Sequence, residues 1–467
     1  MPEHTSPSRR GFLTGAAAVA AATAVPLTAG RAAADGPAAT AARPNILLIV
    51  TDDQPKHTNW AIQKTIAWLG DHGVEYPNGH VATPLCAPSR SSVFSGRFAH
   101  NHGVRNNGAS AALDQHSTVQ RYLKQAGYRT GLFGKYLNSW TLADNPPHFE
   151  DFLLLQPSYS SSANYNDNGT VRQISGYPTN VIKNHALAFL DKAATDTRPW
   201  FAYVTPYASH EPNTPAAKYA DTVVPAWNGR PSVPEDDRSD KPAYIRNATA
   251  TLDDARELRK RQLRTLLSVD DAVQAFRDKL EALGQLDNTL VIYVADNGYT
   301  WADHGWLKKS VPYSPSHQVP FYLSWPAAGL GSGTVDNRLV ANIDIAPTVL
   351  DAAGITPDTP QDGRSLLTGY SRGHLLVEWW KQGTAAGGPN TWASYVDKEK
   401  QYTEYYDLHT NAAGVVSGTG QVLFREYYDL VSDPYQLRNL LHQATPAEEQ
   451  ALGIPALAAT LAADRTS

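Results

Sequence analysis

The chain has 467 residues, 42% apolar and 18% charged, with a formal net charge of −5, a composition suited to one large globular core plus a smaller second unit. Lys and Arg total 40 against 45 Asp and Glu and form no long basic run, which argues against nucleic-acid binding as the main function. The single cysteine, Cys86, excludes an intramolecular disulfide and a four-thiolate zinc site.

At the N-terminus, Ser8-Arg9-Arg10-Gly11-Phe12-Leu13 precede an alanine-rich run, and Ala32-Ala33-Ala34 offer the small residues a signal peptidase needs. Residues 1–34 therefore read as a twin-arginine signal, so the export machinery of that pathway is an expected partner and the mature chain is secreted. The run is too short and too weakly apolar for a stable membrane anchor, and no cysteine follows it to carry a lipid.

Residues 45–51 form a continuous apolar run stopped by Asp52-Asp53, the pattern of a strand buried on both faces. Shorter strands are predicted over residues 128–133, ending near Lys135, and 200–205, followed by His210. Residues 211–247, rich in Pro and Asp, read as a long irregular excursion. An amphipathic helix over residues 252–283 then feeds a second buried strand at 290–295, which ends in Asp296-Asn297-Gly298. Residues 356–369 turn Pro-, Asp- and Gly-rich. Beyond them, aromatic alternating segments at 392–396 and 401–406 predict a small antiparallel sheet, closed by an alanine-rich helix over 447–463. No internal repeat is present. The organisation expected is a signal (1–34), an α/β catalytic domain with a large, mostly parallel sheet flanked by helices (35–370), and a C-terminal subdomain of antiparallel sheet plus helix (371–467).

Polar residues thus collect past the C-terminal ends of four predicted strands, where ligands bind in open parallel α/β sheets. Asp52, Asp53, Asp296 and Asn297 are oxygen donors that suit a hard cation, Ca²⁺ or Mg²⁺, rather than zinc. Either pair alone would often be only a turn or a helix cap; two pairs, each after a buried strand, point to a metal site. Cys86 is followed by Pro88, suited to a first helical turn, and by Arg90 one turn on. Its side chain then faces a positive helix end and a cation, an arrangement that binds anions.

Cys86-Ala87-Pro88-Ser89-Arg90 matches the Cys-X-Pro-Ser-Arg motif of the formylglycine-dependent sulfatases, and Ser95-Gly96-Arg97 resembles their following Thr-Gly-Arg with Ser for Thr. The resemblance extends over nearly the whole mature chain. Residues 43–54 resemble the family's opening strand, Gly127-Tyr128-Arg129-Thr130 through Gly134-Lys135 its lysine strand, and Asp296-Asn297-Gly298 its second metal pair. Tyr428-Asp429-Leu430 with Asp433-Pro434 resembles its C-terminal signature.

This resemblance implies an alkaline-phosphatase-like fold and a sulfuric ester hydrolase. It implies that a maturation enzyme oxidises Cys86 to formylglycine, whose hydrated aldehyde is the nucleophile and a ligand of a calcium ion (magnesium being the alternative) held by Asp52, Asp53, Asp296 and Asn297. Arg90 would steady the formylglycine, and Lys135, His210 and Lys309 would hold the sulfate. Lys309 is preferred to Lys308 because Lys309-Ser310-Val311-Pro312-Tyr313 keeps the family's lysine-to-tyrosine spacing.

The chain departs from many arylsulfatases at Lys135-Tyr136-Leu137-Asn138, where Leu137 replaces a histidine. The base that collapses the sulfated intermediate is then Asp296, a water, His304 or His317. The same run resembles the glucosamine-6-sulfatase branch. Together with export and with aromatic residues Trp140, Tyr299, Trp301 and Trp306, it implies a sulfated carbohydrate substrate, a 6-O-sulfated amino sugar, with aryl sulfates as surrogates. The competing readings are a phosphonate or phosphate ester hydrolase of the same superfamily and, if Cys86 stays unmodified, an inactive protein that binds sulfated glycans.

Overall fold

A computed structural model describes residues 43–467. The export signal expected over residues 1–34 lies outside the described residues.

The apolar run Asn45–Thr51 is the centre of a ten-stranded sheet. It pairs in parallel with Thr289–Ala295 on one side and Trp200–Thr205 on the other, Leu48 standing opposite both Ile292 and Tyr203. Arg129–Gly134 and Asp151–Leu155 extend the parallel block. Phe321–Ser324 adds antiparallel beyond Thr289–Ala295, and the antiparallel pair Ser162–Asp167 and Thr170–Ser175 closes the other edge.

Burial on both faces explains why the central strands lack polar alternation. Ile46, Leu48 and Val50 pack into a cluster with Val93 and Phe94 of the helix Cys86–Ser95, Leu123 of Val119–Gln125 and Val349 of Ile345–Ala352. Leu47 and Ile49 face the opposite way, onto Phe189 of Pro178–Ala193 and Leu266, Val269 and Val273 of Leu252–Ala282. Each such aliphatic side chain contributes about 1.5–3 kcal/mol by leaving water. The helix Leu252–Ala282 begins at a capping box, with Thr251 accepting from the Asp254 amide and Asp254 accepting from the Thr251 amide.

A separate four-stranded antiparallel sheet runs Leu375–Trp379, Thr391–Val396, Lys400–Thr410 and Val416–Asp429. The expected alanine-rich helix is two helices, Pro446–Ala451 and Ile454–Asp464, because Gly453 between them adopts φ 73° and turns the chain. Residues 211–247 hold only a 3-10 turn at Ala217–Tyr219 and the short helix Ala243–Arg246. Among the described residues, no helix is long and apolar enough to cross a membrane.

Candidate active site

Three parallel strands end at one point. Asp52 and Asp53 leave Asn45–Thr51, Asp296 and Asn297 leave Thr289–Ala295, and Lys135 leaves Arg129–Gly134. Asp53 turns with φ 57°, a left-handed conformation that aspartate tolerates better than most residues. Its amide thereby donates to Asp296 Oδ1 at 3.1 Å. Gly134 has φ 119°, and a Cβ there would lie 2.0 Å from the Thr205 carbonyl oxygen, so only glycine lets the strand deliver Lys135.

The helix Cys86–Ser95 points its N-terminus at this cluster, with no side-chain cap from Leu85. The Cys86 side chain, 1% exposed, lies in the positive field of the free helix amides. Its sulfur is 3.6 Å from Asp52 Oδ1 and 2.8 Å from Lys309 Nζ, and lies within 4.8 Å of a ring nitrogen of His210. Arg90 is wholly buried beneath: Nε donates to Asp296 Oδ2 at 2.8 Å, Nη1 to the Lys135 carbonyl at 3.2 Å, and Nη2 sits 3.6 Å from Asp52 Oδ2. Lys135 Nζ donates to Asp52 Oδ2 at 2.5 Å, and Lys309 Nζ also donates to Asp53 Oδ1. His210 Nε2 is 3.8 Å from Asp53 Oδ2, while Nδ1 donates to the Glu211 carbonyl at 2.8 Å.

The nine side chains singled out in the sequence, Asp52, Asp53, Cys86, Arg90, Lys135, His210, Asp296, Asn297 and Lys309, thus lie in one cluster, and the structure separates the two lysines. Lys309 turns inward between residues of positive φ, Lys308 (103°) and Ser310 (72°), whereas Lys308 stays exposed at the mouth. The mouth is a depression of about 320 Å³ lined by His210, Glu211, Tyr299, Trp306 and Lys308 among others. Trp140 and Trp301 do not line it. Trp140 packs against Tyr136 and donates to the Asp144 carbonyl, and Trp301 is buried with its Nε1 on Gln262. Sequence reasoning passed over Tyr207, which stacks on His210 with ring centroids 4.7 Å apart, and Tyr299 as a partner of Glu211, at 3.0 Å. Tyr207 follows the same strand end as His210, so its position was an available signal.

The two histidines considered as bases are engaged elsewhere. His304 Nδ1 lies 2.6 Å from Glu235, and its ring packs on Tyr313. His317 Nε2 donates to the Pro312 carbonyl and its Nδ1 meets His80 Nδ1 at 2.9 Å, which requires His80 to donate that proton.

Electrostatics favour the charged forms of Asp52, His210, Lys135 and Lys309. Burial opposes the charge on Asp52, but Lys135, then His210 and Arg90, outweigh it and lower its pKa to about 2. Burial likewise opposes protonation of His210, yet the Asp52 charge, the neighbouring Cys86 and Asp53 raise its pKa to about 9. Lys135 and Lys309 are both raised, against the effect of burial, by Asp52 and Asp53 respectively.

The site offers a possible metal position. Asp52, Asp53, Cys86 and His210 bring possible ligand atoms within 4.8 Å of one another, and Asn297 Oδ1 is buried with no hydrogen-bond partner. The Asn297 amide nitrogen donates to Asp53 Oδ1 at 2.7 Å and to the Gly298 carbonyl, which fixes the carbonyl oxygen as a free acceptor. The carboxylates of Asp52, Asp53 and Asp296 balance the charges of Arg90, Lys135 and Lys309, and protonated His210 adds a further positive charge, so a divalent cation would leave the site strongly positive.

Residues 44–355, more than half of the chain, match the family model described as sulfatase, and residues 302–452 match the C-terminal model of N-sulphoglucosamine sulphohydrolase. Residues 6–26 match the twin-arginine translocation signal, which directs the chain to that export route. The human N-acetylglucosamine-6-sulfatase is 30% identical over 88% of this chain and 83% of its own length. A putative extracellular sulfatase of Caenorhabditis elegans is 32% identical over 69% of this chain, which spans about half (48%) of that relative. Among solved structures, a protein in complex with its substrate D-glucosamine-2-N,6-O-disulfate superposes with a TM-score of 0.77 at 20% identity, covering 90% of this chain and 97% of its own. From the family model and the full-length relative, the chain belongs to the sulfatase family.

Proposed function

We propose that the chain hydrolyses sulfate monoesters through a formylglycine made from Cys86 by a maturation enzyme, with residues 35–370 carrying the reaction and residues 371–467 supporting it. The observation that carries this reading is the convergence on Cys86, at a helix N-terminus, of three aspartates, Asn297, two lysines, Arg90 and His210. Asp52, Asp53, Asp296 and Asn297, with the oxygen that replaces the Cys86 sulfur, are the ligands for a calcium ion, which supplies Lewis-acid polarisation of nucleophile and ester when bound.

Lys135, His210 and Lys309 bind the sulfate oxygens and orient sulfur toward position 86. One hydroxyl of the hydrated aldehyde forms a bond to sulfur while the bond from sulfur to the alcohol oxygen breaks, and the alcohol leaves with a proton. The second hydroxyl then gives up its proton, its oxygen becomes the aldehyde carbonyl, and the bond from carbon to sulfate breaks. Two oxygens on one carbon make this exit available, which a serine or cysteine nucleophile lacks. Arg90, bonded to Asp296 and the Lys135 carbonyl, fixes the helix end against the ligands. With His304 and His317 engaged elsewhere, Asp296 and water are the remaining bases from the sequence reading.

The substrate read from the Lys135-Tyr136-Leu137-Asn138 run is a 6-O-sulfated amino sugar. The name of the human relative supports it, as do Tyr299 and Trp306 at the mouth. Two measurements test the proposal. Mass spectrometry of the peptide containing residue 86 should show the thiol-bearing methylene replaced by an aldehyde, and Cys86→Ala should abolish turnover while the protein still folds. Thiol alone in active protein refutes the mechanism. Turnover of a phosphate ester above the sulfate ester of the same aryl alcohol favours the phosphoryl rival, and release of sulfate from aryl esters but from no sugar refutes the carbohydrate substrate.

A further inference from the structure

Beside the mouth, a second depression of about 500 Å³ lies along the C-terminal sheet, between the helix Ala243–Arg246 and the loop at residues 384–390. Its size falls within the roughly 300–1,000 Å³ typical of small-molecule sites. The two depressions share a wall. Pro389 lines the mouth, while its neighbours Gly388 and Asn390 line the groove. Trp306 of the mouth meets Tyr244 of the groove edge-on, with ring centroids 5.4 Å apart.

The lining of the groove is one-sided in charge. It contains Arg246 and Lys381 and no Asp or Glu, in a chain whose net charge is −5. Among the described residues neither cation is ion-paired. Arg246 donates to the Lys241 carbonyl at 3.0 Å, and Lys381 Nζ to the Asn390 side-chain oxygen at 3.4 Å. Both therefore keep donors for an anion. Phe424 adds a half-buried aromatic face, and Asn247 and Asn390 add amides. A flat apolar face, neutral hydrogen-bonding groups and unpaired cations suit a sugar ring that carries sulfate or carboxylate.

We propose that this groove is a second saccharide subsite, which holds an anionic sugar adjoining the one that presents its sulfate ester to residue 86, so that the enzyme acts on chains in preference to free monosaccharides. The inference rests on the sulfatase reading of the neighbouring site and adds to it the length and charge of the substrate.

The test is an Arg246→Ala/Lys381→Ala double variant assayed on an aryl sulfate, on N-acetylglucosamine 6-sulfate and on a heparin-derived tetrasaccharide. Expected is a loss of at least about tenfold in kcat/KM on the tetrasaccharide, carried in KM, with both small substrates unchanged. An Arg246→Lys/Lys381→Arg variant should retain most of the tetrasaccharide activity. Equal kcat/KM of the double variant and the wild type on the tetrasaccharide, or a uniform loss on all three substrates, overturns the subsite. Calorimetric titration of the tetrasaccharide into Cys86→Ala protein, with and without the double substitution, reads the groove independently of turnover. Weaker binding after the substitution, with less sensitivity to salt, supports the subsite; identical binding overturns it. Wild-type protein that cleaves aryl sulfate but no sugar refutes the carbohydrate substrate, and the titration still decides the groove.

Discussion

Asn297 donates from its amide nitrogen to two protein acceptors and leaves its carbonyl oxygen buried with none. An acceptor stranded in this way costs about 1–3 kcal/mol, and a cation shared with Asp52, Asp53 and Asp296 would recover that loss. Calcium at about 100 times its Kd should then stabilise the fold by about 2.7 kcal/mol, read as a higher melting temperature than in chelator. Asn297→Leu should shrink that increment, and Asp296→Ala should remove it. An equal calcium shift in wild type and Asp296→Ala would refute the ligand set. Asp52→Ala and Asp296→Ala should each abolish turnover of an aryl sulfate. In Asp52→Ala the loss also frees Lys135 and removes a neighbour of Arg90, so its melting temperature should fall as well, because two buried cations lose a carboxylate.

The short helix Ala99–His102 is tied to the strand Leu375–Trp379 by His100 Nδ1, 2.9 Å from Glu378, with the His100 amide on the same oxygen. Burial lowers the histidine pKa, but the bond and charge of Glu378 outweigh it and raise the value above 6.5. Burial raises the Glu378 pKa, but His100 brings it below 4.5. The pair's contribution is therefore fully present between pH 4.5 and 6.5. It fades as pH rises through the folded value of His100 and as pH falls through that of Glu378. The difference in melting temperature between wild type and His100→Gln should be largest in that window and shrink as pH rises through the folded value of His100; a difference that grows with pH would refute the pairing. Strands covered on both faces were legible in the sequence, because double burial writes an unbroken apolar run, as in Asn45–Thr51 and Thr289–Ala295. The edge strand Thr170–Ser175 was not, since nearly all of it is exposed and its residues carry no burial pattern. Nor was the first half of Val416–Asp429, which is polar, glycine-containing and solvent-facing. Among site residues, those at strand ends could be read from chain position. The partners of His304 and His317 could not, because Glu235 and His80 reach them only through tertiary closure.

The C-terminal sheet grips the segment that carries Lys309. Trp392 Nε1 donates to the Ser310 carbonyl at 3.0 Å, Gln401 Nε2 to that of Pro312, and buried Glu426 accepts from Tyr313 at 3.0 Å and from Tyr405 and Tyr428 at 2.6 Å. Glu426→Ala leaves three tyrosine hydroxyls without this acceptor, at about 1–3 kcal/mol for each that stays unpaired. Denaturant unfolding should show a loss of several kcal/mol. Aryl sulfate turnover at a temperature where the variant remains folded should also fall, since the loop behind Lys309 loosens. Full activity in the folded variant would show that Lys309 is placed without the sheet. The burial of Cys86 also sets an order of events in the life of the chain. With 1% of it exposed, beneath Lys309 and Asp52, the residue offers a protein-sized catalyst no approach once these elements have closed. Under the proposed mechanism, oxidation of Cys86 would then compete against folding before export, since the twin-arginine route carries chains that have already folded. A molecule that lost that race would leave the cell well packed but without its nucleophile, so the proportion of active enzyme outside would record relative rates inside.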